Sequence, residues 1–266
     1  MPATVTNVTT DLMPAVFIGH GSPMNTLEHN RYTELWNSFG SSVPGPRAVL
    51  SVSAHWFINA TAVTAMAQPK TIHDFFGFPD ELFAFEYAAP GSPEIAQEIA
   101  DTVAPAWVGA DRDSWGLDHG TWSVLAHIYP NADVPVLQLS INAAAPADYH
   151  VQLGAALAPL RAQGILVIGS GNVVHNLGRL DWASPDAAYD WAQSFDEEAE
   201  RIMTEEPGDV LSLLEHPAYS LAAPTPEHFV PLLYLAGLAN AAGTTCEKLI
   251  GGYALGSLSM TSYVVR

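Results

Sequence analysis

The stretch that most constrains this chain is an apolar run between Pro14 and Gly19 that ends in Gly19-His20-Gly21-Ser22-Pro23. Ala15-Val16-Phe17-Ile18 shows no polar alternation, so the strand it forms must be covered on both faces, as strands of parallel sheets are. Glycines on either side of His20 let the backbone turn sharply and come close to whatever the imidazole touches. The pattern returns. Arg47 to Ala54 (RAVLSVSA) ends at His55-Trp56, and Gly164 to Gly169 (GILVIG) runs through Ser170-Gly171-Asn172-Val173-Val174 to His175. Open α/β sheets bind ligands beyond the carboxyl ends of their strands. These strand ends are therefore expected to converge on one metal.

Composition narrows the partners. Nine Lys plus Arg stand against 28 Asp plus Glu, a net charge of −19, which argues against nucleic acid or an anionic membrane. Apolar residues make up 48% of the 266 and charged ones 14%, enough for a sizeable core and too few charges for wholesale disorder. The lone cysteine, Cys246, allows neither an intrachain disulfide nor a cysteine zinc cage. Met1 to Met13 is Thr-rich, without Lys or Arg or a signal-length apolar run, and is expected to be flexible. No stretch has the length of a membrane span. A soluble cytoplasmic protein is expected, acting on a small molecule.

Strand and helix patterns alternate along the chain. Glu28 to Phe39 reads as a helix with Tyr32, Leu35, Trp36 and Phe39 on one stripe, and Ala60 to Ala67 as a strand. Ser92 to Val103 is the clearest helix, with Ser92 as N-cap and Pro93 at the first helical position. Val134 to Ile141 reads as a strand, and Pro146 to Leu160 and Pro185 to Met203 as helices. Thr225-Pro226-Glu227-His228 opens a helix over Phe229 to Ala241, with Thr225 as cap and His228 in its first turn. Gly252 to Val265 closes the chain as one or two strands. The fold class is α/β: one domain over residues 1–266, a central mostly parallel or mixed sheet flanked by helices, with the metal at the carboxyl ends of strands.

His228, at a helix start, can face the three strand-end histidines from the opposite side. Four such placements by coincidence are far less expected than one. No helical His-Glu-x-x-His site, nucleophile elbow, P-loop or dinucleotide fingerprint is present, and Ser170 after its strand is discounted as a nucleophile. His29, His127, His150 and His216 lack glycine or strand support and read as structural or surface residues. In Thr71 to Pro79, three Phe in four positions read either as local core or as an aromatic wall for a planar ligand.

Six segments together resemble a known family: Gly19-His20-Gly21-Ser22-Pro23, Ser53-Ala54-His55-Trp56, Asp74-Phe75-Phe76-Gly77-Phe78-Pro79, Gly116-Leu117-Asp118-His119-Gly120-Thr121-Trp122, Gly169 to Asn176, and Pro224 to Phe229. In this order they look like the class III extradiol ring-cleavage dioxygenases, in the 4,5-DOPA dioxygenase-like branch. The resemblance spans His20 to about Tyr234. It implies a non-haem Fe(II) enzyme that inserts both atoms of O2 into a catechol. It implies His20, His55 and His228 as metal ligands, His175 beside the metal and His119 lining the substrate pocket. Protocatechuate-cleaving members use two His and a carboxylate; here the third position falls at His228, with Glu227 adjacent.

A chelating catecholate and O2 would take three of six positions on iron, leaving three for protein. His175 is therefore expected to act as acid and base, touching the metal at most in a resting state, and His119 to stabilise developing charge. Phe76 and Phe78 are expected to pack on the substrate ring. Three imidazoles and an open position also suit Zn(II), so a zinc hydrolase and a non-catalytic metal-binding or signalling protein stand as alternatives. The catechol, the regiochemistry, the holder of a substrate carboxylate and the oligomeric state are not legible.

Overall fold

The computed structural model describes residues 12–266. Of the segment expected to be flexible, residues 1–11 lie outside the described residues. Met13 is buried, with its N–H donating to Arg161 O and its carbonyl accepting from Arg161 Nε at 2.6 Å.

The elements follow in order. β1 (Ala15–Gly19) leads through a 3-10 turn (Pro23–Thr26) to α1 (Arg31–Ser42) and then β2 (Ala48–Ile58) and β3 (Ala62–Thr64). Next come α2 (Asp80–Phe83), α3 (Pro93–Thr102), β4 (Gly109–Asp111), α4 (His119–Ile128) and β5 (Val136–Asn142). α5 (Ala147–Ala156), α6 (Pro159–Ala162), β6 (Ile165–Gly171), α7 (Asp190–Glu205), α8 (Tyr219–Ala222) and α9 (Val230–Ala242) follow. β7 (Glu247–Ile250), β8 (Tyr253–Ala254), β9 (Leu258–Ser259) and β10 (Ser262–Val265) close the chain.

Eight strands form one mixed sheet in the order β4-β3-β5-β2-β6-β1-β10-β7, while β8 and β9 pair separately as a hairpin. The central four, β5-β2-β6-β1, are mutually parallel, and β10 and β7 add antiparallel strands at one side. The apolar runs sort by period two. Ala15 and Phe17 of β1 and Leu50 and Val52 of β2 face one core layer; Val16, Ile18 and Val49 face the other. α5, α7 and α9 cover the first face and α1 and α4 the second. Because β6 returns between β1 and β2, the carboxyl ends of these three strands open side by side.

Several boundaries differ from the sequence reading for local reasons. The first helix begins at Arg31 because the Asn30 side chain caps it, accepting from the N–H groups of Tyr32 and Thr33. The strand expected over 60–67 shortens to Ala62–Thr64. The helix expected from Pro185 starts at Asp190. Thr225 does not cap a helix: its hydroxyl donates to Glu227 Oε1 at 2.6 Å, His228 sits in a turn, and α9 starts at Val230 with Pro231 in its first turn. The strand β7 is absent from the sequence reading; its Glu247 and Lys248 are exposed and carry little apolar signal. Among the described residues no helix is long and apolar enough to cross a membrane.

Candidate metal centre

His20 follows the last residue of β1. Gly21 beside it adopts φ +62°, open to glycine, and a Cβ there would meet Met260 Sδ at 2.5 Å. His55 does not end its strand, as the sequence reading had it, but lies inside β2, which continues to Ile58. There the β2–β5 register shifts between Val52 and Phe57. Such an irregularity re-aims a side chain. His228 is brought in by β6: Asn172 N–H donates to His228 O at 2.9 Å, and Gly171 has no room for a Cβ against that carbonyl.

One ring nitrogen each of His20, His55 and His228 falls within a group whose atoms all lie within 4.8 Å of one another. Outer partners fix which nitrogens point where. Ser170 Oγ donates its proton to Gly120 O at 2.5 Å, so it accepts from His20 Nδ1–H at 2.9 Å. His55 Nδ1–H donates to Asp74 Oδ2 at 3.0 Å. With both Nδ1 hydrogens committed, the Nε2 atoms of His20 and His55 face each other at 3.3 Å. His228 Nδ1 lies 3.4 Å from Glu227 Oε1, the carboxylate that Thr225 steadies.

Two facing lone pairs repel unless a proton or a cation lies between them. A proton satisfies two nitrogens, whereas a metal ion satisfies the third, His228, as well. Hydrogen-bonded outer partners of this kind are what orients histidine ligands in metal sites. Burial, reinforced by the neighbouring imidazoles, drives His20 and His228 well below the ordinary histidine pKa, which suits neutral donors. Burial also opposes charge on His55, but the hydrogen bond to Asp74 and the nearby carboxylates outweigh it and raise its pKa. The donor set therefore fits a divalent metal.

His119 is the N-terminal residue of α4, which Asp118 caps by accepting from Thr121 N–H. Its backbone N–H and Nδ1 both meet Asp74 Oδ1, at 3.0 and 2.9 Å. Asp74 thus bridges His55 and His119; burial resists its charge, but the two imidazole hydrogen bonds win and hold its carboxyl far below the usual range. His175 stacks on His228 with ring centroids 3.5 Å apart and planes 5° from parallel. Its N–H donates to Ala222 O, and the residue bridges to Leu258 of the β8–β9 hairpin. Burial, then the charge of His55, lowers the His175 pKa to about 4.

A cavity of about 540 Å³ opens onto these five histidines. Phe78 lines it and packs on Phe75 at 5.4 Å, and Phe75 meets the edge of His119 at 5.5 Å. Phe76 lines the mouth and is 91% exposed, which rules out the local-core reading for that ring. Phe75, given no separate role in the sequence reading, is the ring that touches His119.

The four histidines read as structural or surface residues lie away from the cavity, and His73 Nε2 meets Phe85 O at 2.9 Å. His150 is buried against Tyr234 OH, His127 Nε2 meets Asn25 O, His216 Nδ1 accepts from Ala218 N–H, and His29 is exposed. Like Phe75, Asp74 and Ser170 are site residues that the sequence reading left without a role. Both stand inside its motifs, and the only signal would have been a carboxylate or hydroxyl invariably beside a ligand histidine.

Comparison with known proteins gives the class. The profile of the catalytic LigB subunit of aromatic ring-opening dioxygenase matches residues 15–265. The chain belongs to this family and is an enzyme of the ring-opening dioxygenase class. It is 46% identical to a 4,5-DOPA dioxygenase extradiol of Escherichia coli (strain K12), over 94% of this chain and 93% of that one. It is 38% identical to a 4,5-DOPA dioxygenase extradiol of Beta vulgaris, over 93% and 94%. A crystal structure of an uncharacterized protein from Escherichia coli K12 superposes with a TM-score of 0.83 at 42% identity, covering 96% of this chain and all of that one.

Proposed function

We infer that the chain is a non-haem Fe(II)-dependent extradiol dioxygenase that opens the ring of a DOPA-like catechol. The observation that carries this reading is the convergence of His20, His55 and His228, three imidazole nitrogen donors beneath an aromatic-lined cavity. Fe(II) held by these three would supply a Lewis acid for the catecholate and a place for O2. The reaction balances without a co-reductant. The ring C–C bond beside one hydroxyl breaks, and both oxygen atoms enter the product, one new end becoming an aldehyde and the other a carboxylate.

The protein's own groups handle protons and position. His175, neutral in its buried place, accepts a catechol proton and later returns it to oxygen. His119, anchored on Asp74, hydrogen-bonds the substrate oxygen opposite. Phe78 and Phe75 confine the ring, and Phe76 closes on it from the mouth. Fe(II) as the working metal and a single domain over residues 1–266 belong to this same reading.

The test loads the metal-free protein anaerobically with Fe(II), adds L-DOPA and then oxygen, and follows oxygen uptake and a yellow ring-opened product. A zinc-loaded sample runs beside it. Uptake with iron and none with zinc is expected. Iron-loaded protein that consumes no oxygen with DOPA, caffeate or simple catechols would sink the reading in favour of zinc hydrolysis or a binding role.

A further inference from the structure

The cavity holds a second kind of information, in its charges. Beyond the histidines, its wall is made by apolar side chains such as Met24, Phe75, Phe78, Leu180, Trp182 and Leu255. Two carboxylates also line it, Asp74 and Glu28, and Glu227 stands behind His228. Among the described residues no Lys or Arg lines it.

The chain has seven Arg and two Lys, and most are bound elsewhere. Arg47 pairs with Glu98, Arg201 with Glu198 and Glu205, Lys248 with Glu200, and Arg266 with Glu247. Arg161 is buried on the Met13 and Val265 carbonyls, Lys70 reaches Ser114 O, and Arg31 reaches the Tyr32 hydroxyl. Arg112 and Arg179 complete the set. Arg179 is exposed in the turn Leu177–Arg179, beside Leu180, but does not itself line the cavity.

A catecholate brings negative charge that a divalent metal on three neutral imidazoles can balance. A second anionic group on the ring substituent would enter an apolar space that has Asp74 in its wall and the exposed Glu28 carboxylate, which accepts from Asn30 Nδ2 at 3.4 Å, at its rim, and that no Lys or Arg lines among the described residues. Burying an unpaired charge there is costly, and like charges brought together add to the cost. An alkyl substituent loses nothing on the same wall, and an ammonium group gains Glu28 as its partner.

Resting on the ring-cleavage reading above, we propose that the cavity selects catechols whose side chain is apolar or carries an amine, against those whose side chain carries a carboxylate alone. L-DOPA, with both charges, falls between. Glu28 at the rim is the residue that sets the sign of this preference, and Arg179 takes no part in it.

The test compares 4-ethylcatechol, dopamine and 3,4-dihydroxyphenylpropionate on iron-loaded protein by oxygen uptake. It also measures their Kd on zinc-loaded, oxygen-inert protein by titration calorimetry. The expected result is that 4-ethylcatechol and dopamine exceed the propionate by about tenfold or more in both kcat/KM and affinity. Glu28→Lys should move the dopamine-to-propionate ratio toward the propionate by about tenfold, and Arg179→Gln should leave that ratio where it was. Equal or better use of the propionate overturns the proposal while ring cleavage stands. A tenfold loss of propionate use on Arg179→Gln overturns it too, because a cation would then reach the cavity. An unmoved ratio in Glu28→Lys removes the role given to Glu28. If none of the three is consumed with iron bound, the ring-cleavage reading fails, and this proposal fails with it.

Discussion

Two buried polar centres lie on either side of the segment Leu258–Thr261, and they balance their hydrogen bonds in opposite ways. Around Asp196 of α7 the donors suffice: Ser259 Oγ donates at 2.6 Å and Thr261 Oγ1 at 2.7 Å, with Tyr253 alongside. The carboxyl is buried, its polar atoms are paired, and nothing further is required of it. Around His20 the acceptors are in excess, since the outer nitrogens have spent their hydrogens on Ser170 and Asp74. A closed network ties α7 to the final strands, whereas an open one asks for a cation. Burial alone does not separate structure from function; the donor count does.

The sharpest way to break this contrast is to remove a nitrogen from the open centre. His20→Ala should lose more than about 100-fold in metal affinity, because even outer partners of metal ligands are worth 10–100-fold. Turnover should vanish with it. Metal analysis after gel filtration checks the first effect and oxygen uptake the second.

His175→Gln should keep its metal and lose about 10²–10⁴-fold in kcat, the range of a general acid–base group. Near-normal turnover with iron bound would take the proton role away from His175. Asp74→Asn tests the outer layer. An amide can hold only part of the bridge between His55 and His119, so metal affinity or activity should fall about 10–100-fold.

The smallest effect should come from the closed centre. Burial raises Asp196 to a pKa of about 6, against the pull of its hydroxyl donors, with Glu200 adding to the rise. Glu200 is itself paired with Lys248 at 2.6 Å, and Tyr253 and Tyr263 are further titratable neighbours. Because the folded pKa lies above the ordinary carboxyl value, the folded chain binds more protons between pH 4 and 6, and stability falls as pH rises through that window. The full effect is on the order of 3 kcal/mol. Asp196→Asn should flatten this dependence in urea unfolding and leave metal content unchanged. An unaltered pH slope would mean that the Asp196 carboxyl is not the group titrating.

How much of this was legible in the sequence differs between the two centres. The strand-end histidines were readable because a buried strand has a plain signature and a glycine-flanked histidine after it has few bland explanations. His55 reads as a strand-end residue but lies inside β2, since a register shift is a matter of pairing with β5 and leaves no mark in β2 alone. His228 was found through its Pro-rich approach, although the cap was assigned to Thr225 instead of to a turn held by β6. Asp74 carries no legible role in the sequence because its partners are 19 and 45 residues away, which no local pattern encodes. Asp196 was invisible for the same reason. It reads as one more acid in an acidic helix until Ser259 and Thr261 fold over it.

The central claim is that His20, His55 and His228 together hold the metal. The most direct measurement titrates Fe(II) anaerobically into metal-free wild type and into the three single His→Ala variants, then quantifies iron after desalting. Circular dichroism on each confirms that it is folded. The account predicts stoichiometric iron in the wild type and less than about a tenth of that in every variant. Folded variants that retain wild-type iron would contradict it.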